Sequence, residues 1–174
     1  MTQPQWDRLA RTHFWPETIA FLRRLSKTLP QGMVVNIGAY WDSSTISILY
    51  DRPDLFAFSI DVERCERGLE NLEHFGVADR AFRIIGNSQD VGCHWKWPIA
   101  MVYIDGDHSY EACLADINLW VPHVVHGGLI AIHDYGTSHT PGVVQATDEM
   151  MGGFEDLGFD RPPEQQGVLR VFRK

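Results

Sequence analysis

The stretch Met33-Val34-Val35-Asn36-Ile37-Gly38 decides the fold of this chain. It is rich in β-branched residues, it is bounded by glycines at positions 32 and 38, and its apolar side chains fall on both faces. A run that is apolar on both faces is what a strand buried in a parallel sheet needs, because helices cover such a sheet on each side. This stretch therefore predicts an α/β protein.

Short apolar runs alternate with amphipathic stretches on both sides of this strand. Further strands are predicted over residues 55–60, 81–85, 99–104 and 128–132, and helices over residues 15–29, 43–50, 62–75, 110–120 and 143–151. Two more strands, at residues 154–159 and 167–172, follow with no helix between them. Five βα units followed by two strands predict an open, mostly parallel sheet of seven strands with an antiparallel C-terminal strand.

The length and composition of the chain set its size class. It has 174 residues, 44% apolar and 22% charged, with no linker, repeat or low-complexity tract. A chain of this length and composition can bury enough apolar surface to fold without disulfide bonds or a structural metal. We therefore expect one domain over residues 1–174, in which residues 1–30 form a helical segment packed on the core.

Net charge, hydropathy and cysteine spacing argue against several classes of protein. Fifteen Lys and Arg against 23 Asp and Glu give a net charge of −8, which argues against nucleic-acid binding. No run approaches the ~18 apolar residues of a membrane span, and no signal-peptide pattern is present, so we expect a cytoplasmic protein without a membrane partner. Cys65, Cys93 and Cys113 fit neither a disulfide framework nor a zinc site. Homo-oligomerisation is left open.

Small, polar or acidic residues follow each of the five predicted parallel strands. Ligands of open α/β sheets lie outside the carboxyl ends of the strands. The residues there are Gly38-Ala39-Tyr40, Asp61, Asn87-Ser88, Asp105-Gly106-Asp107-His108 and His133-Asp134-Tyr135. Any one of these groups is also what a solvated loop contains, but the same pattern at all five ends favours a binding site.

The residues after the first two strands narrow the choice of ligand. The dinucleotide fingerprint G-x-G-x-x-G is absent, because Tyr40 and Ser43 stand at its second and third glycines, and this disfavours an NAD enzyme. Gly38 permits close approach of the backbone to a ligand. Asp61 is placed either to accept hydrogen bonds from ribose hydroxyls or to cap the following helix, and spacing alone does not separate these roles.

Four sequence blocks at the strand ends form a set. They are Val35 to Tyr40 with Ser44-Thr45, Gly86-Asn87-Ser88-Gln89-Asp90, Asp105 to Glu111, and Gly127 to Tyr135. Together they resemble class I S-adenosylmethionine-dependent methyltransferases with a Rossmann-like sheet, in particular the small-molecule O-methyltransferases of macrocin, cephalosporin-hydroxylase-like and catechol type. The resemblance implies S-adenosylmethionine as cofactor and a small hydroxylated molecule as acceptor. It implies cofactor contacts at Asn36, Gly38, Tyr40, Ser44, Asp61, Ser88 and Asp105.

The sequence departs from the family pattern at several places, and the departures at Asn36 and Asp42, with the missing lid, favour an alternative. The family carries an acid where Asn36 stands, a glycine where Asp42 stands, and, in the catechol type, a lysine base where His108 stands. The chain also lacks the long segments that larger members use as a substrate lid. A non-catalytic or regulatory S-adenosylmethionine-binding domain is therefore the second hypothesis.

The ends of the fourth and fifth strands predict a metal site. Adjacent strands lie about 4.8 Å apart, so Asp105 and Asp134 can share one magnesium or manganese ion. His133 is a third candidate ligand, which would favour manganese. Successive strand residues face opposite sides, so His133 joins Asp134 only if the chain turns there; otherwise it is a structural histidine bonded to the backbone.

His108 and Asp105 are the predicted catalytic residues. An imidazole titrates near neutral pH, so His108 is a candidate base for the proton of the acceptor hydroxyl. The alternative for His108 is a loop histidine at the start of a helix.

Overall fold

Seven strands form one sheet in the order β3-β2-β1-β4-β5-β7-β6. The computed structural model of the protein describes residues 5, 8, 9, 15–160 and 168–174. The strands are β1 (Gly32–Ile37), β2 (Leu55–Asp61), β3 (Ala81–Ile85), β4 (Ile99–Ile104), β5 (Val124–Ile132), β6 (Glu155–Phe159) and β7 (Arg170–Arg173). Strands β1 to β5 pair in parallel, and β7 is antiparallel to both β5 and β6. The predicted sheet is confirmed.

Helices connect the strands and cover both faces of the sheet. They are α1 (Pro16–Ser26), α2 (Ser43–Leu49), α3 (Glu66–His74), α4 (Ser88–Gly92), α5 (Tyr110–Trp120) and α6 (Pro141–Met150), with single 3-10 turns at Ala78–Arg80 and Val121–His123. None of these helices is long and apolar enough to cross a membrane, and the described residues hold no other candidate.

Several element boundaries differ from the predicted ones for local reasons. Helix α3 begins at Glu66 and not at residue 62, because the Asp61 carboxylate accepts the backbone N–H of Glu63 in a turn. Helix α4 was not predicted, since its single turn is too short for helical periodicity to show. Strand β5 begins four residues before the predicted start. The predicted final strand begins at Arg170, and position 167, its predicted start, lies outside the described residues.

The core lies on both faces of the sheet, and β1 contributes to each. Val34 packs with Ile19 and Leu22 of α1 in the cluster on one face, which also contains Ile46 and Leu49 of α2. Val35 belongs to the cluster on the other face, with Ile117 and Trp120 of α5. The described part of the N-terminal segment thus packs on the core through α1.

The carboxyl ends of the central strands meet at one edge of the sheet. The backbone N–H of Asp105 donates to Ile37 O at 3.0 Å, and that of His133 donates to Ile104 O at 2.9 Å. The parallel ladder thus continues one residue beyond β4 and β5. This register sets the first residues of three loops side by side.

Candidate active site

A cavity of about 490 Å³ opens at this edge of the sheet. Five of the predicted cofactor residues line it: Gly38, Tyr40, Asp61, Ser88 and Asp105. Among the described residues, no Lys or Arg side chain lines the cavity, whereas four carboxylates do, the other two being Asp107 and Asp116. The wall is therefore acidic and suits a cationic ligand.

Gly38 is required where the loop after β1 approaches the loop after β4. Its φ is +74°, and a Cβ at this position would lie 1.8 Å from the backbone carbonyl oxygen of Asp105. A side chain fits neither the angle nor the space. The glycine therefore allows these two loops to pack against each other at the cavity wall.

The structure excludes one of the two roles considered for Asp61, and the ribose contact stays a prediction. Helix α3 begins at Glu66 with Cys65 as its N-cap residue, so Asp61 does not cap this helix. Its Oδ2 accepts the backbone N–H of Tyr40 at 2.7 Å and its Oδ1 accepts that of Glu63 at 3.0 Å. Each carboxylate oxygen has a second lone pair for a ligand in the cavity.

Asn36 and Ser44 lie beneath the loop and not on the cavity wall. Asn36 is fully buried, and its Nδ2 donates to Ser44 Oγ at 3.0 Å and to Thr45 Oγ1 at 2.7 Å. Thr45 Oγ1 in turn lies 2.9 Å from Ser59 Oγ. The hydroxyls of Ser44 and Thr45 thus bind the amide nitrogen of Asn36, whereas its buried Oδ1 has no hydrogen-bond partner within the described part of the chain. Contact of Asn36 and Ser44 with a cofactor stays a prediction.

Asp42 stands where the family has a glycine, and its buried side chain is paired with an arginine. Its backbone is left-handed, with φ 59°, a conformation that favours glycine. Its carboxylate is fully buried and accepts a hydrogen bond from Arg83 Nη1 at 2.5 Å. Burial raises the pKa of Asp42, and the charge of Arg83 offsets part of this rise. Arg83 stands on the edge strand β3, and nothing in the sequence pattern singled it out.

Ser88 is held by an acid that the sequence analysis missed. Its hydroxyl donates to Asp116 Oδ1 at 2.6 Å, and Asp116 is 2% exposed on α5. Burial raises the pKa of this carboxyl group. The sequence does contain a signal for this role, because Asp116 is an acidic residue on the otherwise apolar face of the helix formed by Cys113, Ile117 and Trp120.

Two carboxylates and two imidazoles converge beside the cavity. The ligand atoms of Asp105, His108 and Asp134 all lie within 4.8 Å of one another. His108 Nε2 is 3.0 Å from Asp134 Oδ2 and 3.6 Å from Asp105 Oδ1. His133 Nδ1 is 3.1 Å from Asp105 Oδ1 and 3.3 Å from Asp134 Oδ2. We call these four residues the Asp–His cluster.

A turn at Asp134 brings His133 and Asp134 to the same place. Strand β5 ends at Ile132, and Asp134 has φ 56°, so the backbone leaves the extended conformation there. The chain therefore has the turn that convergence of His133 and Asp134 requires. The Nδ1 atom of His133 faces the carboxylates of Asp105 and Asp134.

The charges of the Asp–His cluster perturb one another strongly. Hydrogen bonds to Asp105 and Asp134 raise the pKa of His108 to about 10. Burial alone would lower the pKa of His133, but the same two carboxylates outweigh it and raise this pKa to about 10. The two imidazoles hold the pKa of Asp134 well below its usual range, despite its burial. The expectation that His108 titrates near neutrality is therefore wrong for the metal-free protein.

The donor set of the cluster fits a divalent cation. Carboxylate oxygens are the ligands that magnesium prefers, and added imidazole nitrogens favour manganese or another transition metal. Two carboxylates this close otherwise need protons or cations between them. The two imidazoles, when protonated, supply that positive charge, and a bound cation would replace their protons.

The fold and this site together define a class of protein. The sheet order, the glycine turn after β1, the acid after β2 and the acidic cavity are those of class I S-adenosylmethionine-dependent methyltransferases. The family model described as "Methyltransferase domain" matches residues 35–135, more than half of the chain. The chain belongs to this methyltransferase family.

Solved structures share the fold at low sequence identity. Cofactor-bound Rv0187 from MTB is 21% identical with a TM-score of 0.73, over 98% of this chain and 86% of that one. A candidate O-methyltransferase from Klebsiella pneumoniae is 16% identical with a TM-score of 0.73, and the match covers 99% of this chain and 90% of that one. An O-methyltransferase family 2 protein from Planctomyces limnophilus, solved with apigenin, is 15% identical with a TM-score of 0.64. That match covers 91% of this chain but only 62% of the longer protein.

Proposed function

We propose that this protein transfers the methyl group of S-adenosylmethionine to a hydroxyl oxygen of a small molecule, with a divalent cation held at the Asp–His cluster. One observation carries the proposal. Asp105 lines the large cavity and also belongs to the cluster. A methyl donor in the cavity and an acceptor at the cluster would therefore meet at Asp105, and positioning is most of what methyl transfer requires.

The cavity would hold the cofactor through residues at four strand ends. Asp61 would accept hydrogen bonds from the ribose hydroxyls, and Gly38, which also lines the cavity, would let the donor approach the backbone of the loop after β1. The acidic wall supports a donor with a positively charged sulfonium. After transfer this charge is lost, so the same wall binds the product less strongly.

Asp105, Asp134 and His133 would hold the cation. A divalent cation supplies a polarised acceptor hydroxyl with a lowered pKa. His133 is assigned to this role because its side chain is only 16% exposed and its Nδ1 faces both carboxylates. It must give up its proton before it can act as a ligand.

His108 would take the proton of the acceptor. Its side chain is 45% exposed, so an acceptor can reach it. The carboxylates of Asp105 and Asp134 raise the pKa of His108, and a cation bound to them would weaken this effect. Once they are engaged elsewhere, Nε2 becomes a free acceptor of a proton.

The proposed acceptor is a small hydroxylated molecule. The Planctomyces limnophilus protein of the same fold was solved with apigenin, a molecule that carries phenolic hydroxyl groups. The net charge of −8 supports a small acceptor over a nucleic acid.

Calorimetry followed by turnover tests this proposal. S-adenosylmethionine should bind to the purified protein, and a panel of polyphenols and sugars should be methylated only when magnesium or manganese is present. Binding without turnover of any acceptor would favour the regulatory alternative. That alternative loses part of its support from the structure, because Asn36 and Asp42 are both buried away from the cavity.

A further inference from the structure

The loop from Tyr40 to Asp42 is held in an unfavourable conformation. Among the described residues, Tyr40, Asp42 and Asp134 are the non-glycine residues with positive φ, and two of the three lie in this loop. Tyr40 has φ 42° and Asp42 has φ 59°. Such conformations persist only where the surrounding structure imposes them, and they concentrate at functional sites. Something outside the loop must therefore fix it.

Arg83 supplies that constraint from the far side of β2. It stands on β3, and its Nη1 donates to Tyr40 O at 3.1 Å and to Asp42 Oδ2 at 2.5 Å. The Arg83 side chain is 7% exposed and the Asp42 side chain is fully buried. One guanidinium nitrogen thus bonds to both strained residues in a place with little access to water.

Helix α3 is shaped to admit this guanidinium. A Cβ at Gly68 would lie 2.1 Å from Arg83 Nη1, 2.7 Å from Asp42 Oδ2 and 2.8 Å from Tyr40 O. Any other residue at this position would push the arginine off the loop. Gly68 is the third residue of a regular helix, where alanine would otherwise be preferred. Packing, and not helix propensity, explains the glycine.

The loop in turn sets the wall of the cofactor cavity. The Tyr40 side chain lines the cavity, and the Tyr40 N–H donates to Asp61 Oδ2 at 2.7 Å. We propose that Arg83, with Asp42 and Gly68, forms a clamp that positions Tyr40 and Asp61 to bind the cofactor. Arg83 is thus a positioning residue. This inference rests on the proposed function, because it assigns the cavity to S-adenosylmethionine.

Binding of S-adenosylhomocysteine, measured by calorimetry well below the melting temperature, tests the clamp without turnover. Arg83→Met should raise the Kd at least about tenfold. Arg80→Met is the matched control, because Arg80 Nη1 donates to Arg52 O and Leu55 O at 2.9 Å, away from the cavity. Both variants should lower the melting temperature, but Arg80→Met should leave the Kd within about twofold of the parent.

Two further variants keep the test decisive if Arg83→Met folds poorly. Gly68→Ala changes no charge and favours the helix, yet it should raise the Kd at least about fivefold by displacing the guanidinium. Adding Asp42→Gly to Arg83→Met should bring the Kd back to within about threefold of the parent, since glycine adopts φ 59° freely and leaves no unpaired buried acid.

The outcomes separate the clamp from the proposed function. Parent-like affinity in Arg83→Met or in Gly68→Ala would overturn the clamp, and so would an equal loss of affinity in Arg80→Met. If the parent protein binds neither S-adenosylmethionine nor S-adenosylhomocysteine, the proposed function is wrong, and the clamp proposal that rests on it is wrong as well.

Discussion

Asp134, two residues after the end of β5, has a left-handed backbone, and its Oδ2 lies 3.0 Å from Nε2 of His108. The two side chains come from different loops, which follow β5 and β4. Their contact joins the predicted base to the predicted metal ligand, and it changes what each can do. A proton and a cation would compete for the same pair of carboxylates, those of Asp105 and Asp134.

Metal binding should release protons and strengthen with pH. The pKa values of His108 and His133 are both about 10, so both imidazoles are protonated at pH 7. A cation at Asp105 and Asp134 must displace these protons, and its affinity should rise by up to about tenfold per pH unit for each proton displaced. Titration of Mn²⁺ in buffers of different ionisation enthalpy counts the protons. Binding with no proton release between pH 6 and pH 8 would contradict the assigned cluster.

The metal-free protein should lose stability as pH rises toward 10. Both imidazoles have a folded pKa of about 10, above the ordinary value of 6.5. Their stabilising contribution is therefore fully present below about pH 6.5 and is lost as pH rises through about 10. Thermal melts of the parent and of His133→Gln, both in chelator, should converge over this range. A constant difference in melting temperature would mean that His133 does not titrate in this way.

Asp134→Asn should weaken metal binding and leave cofactor affinity intact. The substitution is nearly isosteric but removes the negative charge that the cation needs, and Asp134 does not line the cofactor cavity. Asp148→Asn is the control, since this carboxylate accepts a hydrogen bond from Tyr135 outside the Asp–His cluster. Manganese titration and methyl-transfer assays measure the effect. Full activity of the parent in chelator would eliminate the metal hypothesis.

His108→Ala should lower turnover about 100-fold or more with little change in cofactor affinity, because general-base catalysis contributes about 10²–10⁴-fold. Measurements at saturating manganese separate this effect from metal loss. A variant with full turnover would remove His108 from the mechanism.

Asp61→Ala should reduce cofactor affinity. Hydrogen bonds to a charged group contribute about 1.5–3 kcal/mol, and the variant also frees the Tyr40 N–H. Asp79→Ala, which removes an exposed carboxylate 3.8 Å from Arg80, is the control. Calorimetry with S-adenosylmethionine gives both affinities, and equal values would show that Asp61 does not hold the ribose.

The sequence predicts the sheet well because its strands are compact apolar runs with polar ends. Residues 81–85 and 99–104 and the helix over residues 110–120 have the predicted bounds. The contact of Arg83 with Asp42 could not be predicted, because it joins residues 41 positions apart through strand order and loop conformation. A motif gives a position along the chain but not a depth, and Asn36 and Ser44 are buried residues that do not line the cavity.

Asp105 belongs both to the cavity wall and to the Asp–His cluster, so binding of the cofactor and binding of a cation would be coupled. A cation on its carboxylate removes negative charge from the cavity wall and adds positive charge beside a sulfonium. By thermodynamic linkage, the factor by which the cation changes cofactor affinity equals the factor by which the cofactor changes cation affinity. The neutral thioether left after transfer escapes this repulsion, so a bound cation would weaken the preference of the acidic wall for the donor over the product. Exchange of one for the other would then depend on metal concentration.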